Sequence, residues 1–214
     1  MIEVKTFTFN PFSENTFVAW EKESRQAAVI DPGCFSSKEE DELKNFILLK
    51  QLSVEYLLNT HCHLDHIFGN NFVLKKFQPQ YFIPELDRPL LENALTQARL
   101  FGIEMAKVQP TENFLSEEIA LSLGADGIRF LFTPGHTPGE FCIYFPENSI
   151  CFTGDVLFQN SIGRTDLMGG NFKTLMDSIQ EKLFTLPDET LIYPGHGDAS
   201  TIEDEKRNNP FFNS

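Results

Sequence analysis

The chain has 214 residues, 41% apolar and 22% charged, with 17 Lys and Arg against 31 Asp and Glu for a net charge of −14. This balance excludes disordered, collagen-like and coiled-coil chains, and no apolar run reaches the roughly 20 residues of a membrane span. The acidity disfavours nucleic acid as a partner, and the opening Met1 to Asn10 has no signal-peptide core, so a soluble cytoplasmic protein is expected.

No linker or low-complexity segment interrupts the chain, and one domain over residues 1–214 is expected. Alternation of Val4, Thr6 and Thr8 with Lys5, Phe7 and Phe9, then Asn15 to Trp20 and Ala27 to Ile30, predicts antiparallel strands. Asp31-Pro32-Gly33 breaks that pattern and reads as a structural turn. Ser36 and Ser37, each followed three residues on by Glu39 and Glu40, carry the capping-box signature of a helix burying Leu43, Phe46 and Ile47. Val54 to Leu58 is a strand, and a second helix is predicted from near Asp65 to Phe77. A third covers Arg88 to Phe101, with Gly102 as its stop. Ile119 to Leu123 and Ile128 to Phe132 flank a turn at Asp126-Gly127, and Phe141 to Phe145 with Ser149 to Phe152 form another hairpin. Phe172 to Phe184 has helical spacing, and Thr190 to Tyr193 is a last short strand. Two groups of strands with helices between them predict a layered α/β fold.

All five histidines lie in three short motifs, each directly after a strand: His61-Cys62-His63-Leu64-Asp65-His66, Pro134-Gly135-His136 and Pro194-Gly195-His196. Thr153-Gly154-Asp155 follows a fourth strand and supplies a carboxylate. Residues two apart in extended chain point the same way, so His61 and His63 can grip one ion while Cys62 and Leu64 turn to the core. Asp65 and His66 lie past the turn and can address a second ion. Five imidazoles and two aspartates exceed what one tetrahedral ion accepts. If Asp155 bridges, one ion takes His61, His63 and His136, and the other takes Asp65, His66 and His196. Two ions about 3.5–4 Å apart can share a hydroxide that is nucleophilic near neutral pH. The donor set suits zinc first, with iron or manganese as alternatives. The four cysteines have no Cys-x-x-Cys spacing and read as buried apolar residues.

At these motifs the sequence resembles the metallo-β-lactamase superfamily, whose hallmark is His-x-His-x-Asp-His. Within it the chain is similar to the short members of the glyoxalase II group. Ser161 to Asp166, Leu186-Pro187-Asp188, Ser200-Thr201-Ile202 and Asn209-Pro210-Phe211 share in that likeness. The resemblance implies a four-layer αββα sandwich with the binuclear site on the edge between two sheets, with the ligands as assigned and Asp155 as the bridge. Asp65 and Asp155 are thereby also the candidate catalytic residues.

Two departures bear on activity. Asp155 stands where true β-lactamases of the superfamily commonly place Cys, which argues against antibiotic hydrolysis. No C-terminal helical glutathione-binding domain is expected. Arg164 falls at a substrate-binding position for glutathione, but Asp166 replaces a tyrosine, and a loop salt bridge between the two is an equal reading. The first expectation is a hydrolase of a small acyl-thioester of the hydroxyacylglutathione kind, in which the shared hydroxide attacks the carbonyl. Persulfide dioxygenases, which hold one iron with residues at the positions of His61, His136 and Asp155, are the alternative. A metallonuclease ranks third because the charge opposes it.

Overall fold

The computed structural model describes residues 1–213. The alternating opening segment forms β1 (Ile2–Phe9), which pairs antiparallel with β2 (Glu14–Glu21), as β2 does with β3 (Gln26–Ile30). β4 (Ser53–Leu58) and β5 (Gln80–Phe82) extend this sheet in parallel, giving the order β1-β2-β3-β4-β5. Parallel neighbours need a crossover. α1 (Ser37–Leu49) makes the first, and α2 (Leu64–Ile67) with α3 (Asn70–Phe77) makes the second. Ser36 caps α1 and closes the box with Glu39, and Ser37 is simply the first helical residue.

After α4 (Arg88–Glu92) and α5 (Ala94–Leu100), the chain builds β6 (Leu121–Leu123), β7 (Asp126–Phe132), β8 (Phe141–Phe145) and β9 (Ile150–Gly154). A small hairpin of β10 (Leu157–Phe158) and β11 (Ser161–Ile162) leads to α6 (Phe172–Ser178). β12 (Leu191–Pro194), β13 (Ser200–Thr201) and α7 (Ile202–Asn208) end the chain. The second sheet has the order β13-β12-β9-β8-β7-β6.

Three apolar layers hold four structural layers together, which is the αββα sandwich. Phe17, Ala28, Ile30 and Leu58 meet Phe130, Ile143, Phe145 and Phe152 between the sheets. Val18, Trp20, Val29 and Leu57 face α1 and α3 through Leu43, Ile47 and Val73. On the opposite outer face Cys142, Cys151 and Ile192 pack against Leu175, Ile179 and Ile202. Much of the phenylalanine content fills these layers. All four cysteines are free and buried, as expected of small apolar residues. Among the described residues no helix is long and apolar enough to cross a membrane.

Four boundaries differ from the sequence pattern. The helix predicted over 65–77 breaks at Phe68-Gly69, where the Gly69 amide donates to the Pro32 carbonyl at 2.7 Å. A Cβ on Gly69 would lie 2.3 Å from the Cys34 sulfur, so only glycine permits this approach. The helix predicted over 88–101 breaks at Asn93, whose side chain donates to the Pro89 carbonyl at 2.8 Å and turns the chain between α4 and α5. The helix predicted over 172–184 stays in one run, but residues Ile179–Leu183 widen to a π turn. The turn expected at Asp126-Gly127 sits instead at Gly124-Ala125, with Gly124 at φ +57°. Asp126 opens β7 because its carboxylate takes the N-terminal ammonium at 2.9 Å.

Strand direction positions the site. β7 and β9 are both antiparallel to β8, and β12 is parallel to β9. Their C-terminal ends therefore emerge on one edge, carrying His136, Asp155 and His196. The first sheet joins that edge through Asn15, whose amide donates to the Gly195 carbonyl at 2.7 Å and whose side chain donates to Pro194 and Gly197 carbonyls. The Phe141 amide donates to the Thr60 carbonyl at 2.9 Å, fastening the end of β4 there too.

Candidate metal centre

The structure brings all seven predicted ligand residues together. The ligand atoms of His61, His63 and His136 lie within 4.8 Å of one another, as do those of Asp65, His66 and His196. Asp155 stands between the groups: one oxygen is 3.4 Å from His136 Nε2 and 3.7 Å from His196 Nε2, and the other is 3.5 Å from His66 Nε2. His63 enters through Nδ1, 2.8 Å from His136 Nε2.

The outward nitrogens of the other four rings each have an acceptor. His66 Nδ1 meets Asp31 at 3.2 Å, His136 Nδ1 the Arg164 carbonyl at 2.7 Å, and His196 Nδ1 the Ser13 carbonyl at 3.3 Å. His61 Nδ1 meets the Thr60 hydroxyl at 3.0 Å, and that hydroxyl donates onward to Asp31 at 2.6 Å. With Nδ1 so engaged, each of these Nε2 atoms faces inward, where a bound metal ion would displace any proton it carries. Inside the ring of ligands, His61 Nε2, His66 Nε2 and Asp155 Oδ1 are buried without a partner. Unpartnered buried polar atoms are costly, and a cation relieves all three. The donor set therefore fits bound metal. Asp31, His61 and His66 also lie close enough to share an ion. The Asp31 oxygens, however, already accept from the Thr60 amide, the Thr60 hydroxyl and His66, on the far side of both rings.

Electrostatics divide the rings. Burial, with help from neighbouring imidazoles, keeps His61 neutral and lowers His63 to about 4. Burial also lowers His136. Burial opposes charge on His66 and His196 as well, but Asp65 and Asp155 reverse the outcome and raise both. Burial works against ionisation of Asp65 too, yet His66 and His196 hold its carboxyl below the usual range.

Four buried carboxylates behind the ligands escaped the sequence reading. Asp31, at φ +46°, is one. Glu140 accepts from the Asp155 amide at 2.7 Å and lies 3.4 Å from His61 Nδ1. Glu14 accepts from Thr16, whose hydroxyl in turn receives the Gly33 amide. Burial pushes Glu14 and Glu140 well up. Asp87 ties two motifs together, accepting from the Cys62 amide, the Thr137 hydroxyl and the Gly139 amide.

Burial raises Asp87 to about 6 from 3.8, in spite of those three bonds. The folded state then binds more protons than the unfolded one between those values, so this group's contribution falls as pH rises through that window. The expected loss is about 3 kcal/mol in all, at about 1.4 kcal/mol per unit. Urea midpoints of metal-free wild type and Asp87→Asn at pH 4.5 and 7 should diverge in that sense, and parallel curves would refute it.

Glycine is obligatory where backbone crosses the ligands. A Cβ on Gly195 would stand 2.5 Å from Asp155 Oδ1 and 2.7 Å from His66 Cε1. Gly195→Ala is expected to lower metal content at least tenfold at limiting metal while far-ultraviolet circular dichroism stays unchanged. The predicted substrate residue Arg164 is exposed, and its guanidinium grips Asp166 through two bonds of 2.7 and 2.8 Å. The loop salt bridge is thus formed, and Arg164 touches the centre only through its main-chain carbonyl.

A cluster of His and Asp ligands delivered from four strand ends to the shared edge of an αββα sandwich defines a metal-dependent enzyme. The chain belongs to the metallo-β-lactamase superfamily, whose family profile matches residues 9–196. It is 37% identical over 215 residues to hydroxyacylglutathione hydrolase GloC of Haemophilus influenzae, covering 100% of this chain and 99% of that one. It is also 34% identical to mitochondrial persulfide dioxygenase ETHE1 of Mus musculus, over 98% of this chain and 73% of the relative. Among solved structures, the BLEG-1 B3 metallo-beta-lactamase superposes with a TM-score of 0.90 at 33% identity, covering 99% of this chain and 100% of that one. TTHA1623 in a di-iron-bound form gives 0.86 at 33% identity, with 97% and 99% covered.

Proposed function

We propose that the protein is a metal-dependent hydrolase of a small acyl-thioester, of the hydroxyacylglutathione kind, working with two divalent ions. His61, His63 and His136 would hold one, Asp65, His66 and His196 the other, and Asp155 would reach both. The observation that carries this reading is the buried, unpartnered set of His61 Nε2, His66 Nε2 and Asp155 Oδ1 between two complete ligand groups. Likeness to GloC across nearly both full lengths supports the substrate class. When bound, the ions supply Lewis acidity and bring the pKa of a coordinated water toward neutrality.

The residues of the chain fix the geometry of that chemistry. Asp31 and the Thr60 hydroxyl lock the His61 and His66 rings, while the carbonyls of Arg164 and Ser13 lock His136 and His196. Hydrolysis joins a water oxygen to the thioester carbon and releases the thiolate. A cysteine-like thiol with a pKa near ~8.5 leaves without prior protonation. No separate general acid is therefore needed, and all five imidazoles are free to serve as ligands.

Elemental analysis of the untreated protein, followed by assay of S-lactoylglutathione, tests the proposal. About two ions per chain and thiol release are expected. One iron per chain, no thiol release and oxygen uptake with glutathione persulfide would overturn it in favour of the ETHE1-like reaction. Nitrocefin cleavage that outpaces thioester cleavage would instead place the chain with its β-lactamase neighbour.

A further inference from the structure

An aromatic patch lies open to solvent beside one half of the metal centre. Phe12 stands between Asn10 and Ser13 in the loop joining β1 to β2. Its ring packs on Phe68 at 6.4 Å and on Phe101 at 5.8 Å, and Phe68 meets Phe35 at 4.9 Å. Exposed aromatic side chains are normally scattered, whereas these four rings are linked by three successive contacts, with Phe101 63%, Phe35 40% and Phe12 36% exposed, and form one apolar surface of the kind that marks a binding site.

The loop that carries Phe12 also braces the Asp65–His196 half of the site. The Ser13 carbonyl, next to Phe12, is 3.3 Å from His196 Nδ1, and the Asn10 side chain donates to the Asp65 carbonyl at 3.1 Å. Phe68 follows His66 by two residues, and the Phe158 ring lies 6.3 Å from that of His196. The opposite half, by His136, carries the polar Arg164–Asp166 pair. A molecule whose carbonyl reacts at the centre thus extends over rings in one direction and over polar groups in the other. Thiol carriers are polar, which leaves the acyl side to meet the rings.

Resting on the thioester reading above, we infer that Phe12, Phe35, Phe68 and Phe101 form an acyl-binding surface that extends the substrate range from small acyl-thioesters to longer apolar ones, hexanoyl being preferred to acetyl. Each methylene laid against the rings leaves water, so affinity rises with chain length until the patch is covered.

Binding and turnover test the two readings separately. Calorimetric titration of the metal-loaded and metal-stripped protein uses the uncleavable thioethers S-methyl- and S-hexyl-N-acetylcysteamine. The hexyl compound is expected to bind at least tenfold more tightly in both forms. Phe12→Ala and Phe101→Ala, at exposed positions that the fold tolerates, should each reduce hexyl affinity three- to tenfold. Equal affinity for the two thioethers, or hexyl binding indifferent to both substitutions, would overturn the inference. So would sedimentation showing that Phe101→Ala dissociates a dimer while hexyl binding is unchanged, which would make the patch a self-association face. Turnover of the acetyl and hexanoyl thioesters of N-acetylcysteamine then gives the ratio of their kcat/KM, expected above ten and lowered by both substitutions. If neither thioester is cleaved by metal-loaded protein while the thioethers still discriminate, the hydrolase reading fails and the apolar ligand site stands. A ratio near one with normal cleavage sinks the acyl preference alone.

Discussion

If the protein is the two-ion thioesterase proposed above, replacing Asp155 by alanine is expected to leave the fold intact, to reduce bound metal from two ions per chain to one or none, and to lower thioester turnover by at least about 10³-fold. That loss goes beyond the 10–100-fold typical of removing a group behind the ligands, because Asp155 faces both ligand groups. Its oxygens lie 3.4 to 3.7 Å from His136, His66 and His196. Its removal would deprive both proposed ions of a carboxylate donor and leave the His61, His63 and His136 group with no carboxylate of its own, since Asp65 stands beside His66 and His196. The fold should survive because the residue's structural contact is made by its main chain: the amide donates to Glu140 at 2.7 Å, and alanine keeps that bond. Elemental analysis and circular dichroism on one preparation separate the two effects. A variant that retained two ions and full turnover would remove Asp155 from the site.

The clustering of the candidate ligands was legible in the sequence for a local reason. His136, Asp155 and His196 each follow a glycine directly and lie within four residues of a strand end, so the strand pattern predicts where they emerge. His61, His63, Asp65 and His66 share one hexapeptide, so their clustering needs no tertiary knowledge. The carboxylates behind them were not legible, because each acts through a partner from another element. Glu14 begins β2 and Glu140 precedes β8, and only the folded sandwich sets them beneath ligands. Asp31 did leave a signal. Asp31-Pro32-Gly33 ends a buried apolar strand just as Gly154-Asp155 does, and a carboxylate in that position need not be a mere turn. The helix breaks divide in the same way. Gly69 within a helical pattern was a readable interruption, since its hydrogen lets the chain approach Pro32 and Cys34. The break at Asn93 rests on a side-chain bond to Pro89 and carries no comparable mark.

Asp31→Asn should produce the largest effect of any substitution outside the ligands themselves, a fall in metal affinity of about 10–100-fold with turnover falling in proportion. Asp31 is fully buried, and its two oxygens accept from the Thr60 amide at 2.7 Å, the Thr60 hydroxyl at 2.6 Å and His66 Nδ1 at 3.2 Å. Through Thr60 the same carboxylate also orients His61, so one residue sets a ring in each ligand group. Asparagine tolerates the left-handed backbone at φ +46°, which isolates the side-chain chemistry from strain. Its oxygen can still take the Thr60 amide, but its NH₂ then confronts the Thr60 hydroxyl and the His66 N–H, both of which are donors. Either the His66 ring turns or its proton moves to Nε2, and both outcomes remove a lone pair from the centre. Competition against a chelator of known affinity measures the loss for each ion. Both sites should weaken, the one containing His66 more than the one containing His61, because the contact to His66 is direct. Unchanged competition curves at both sites would mean that the rings hold their positions without Asp31, and that the Thr60 hydroxyl, the carbonyls of Arg164 and Ser13, and the packing of the loops suffice.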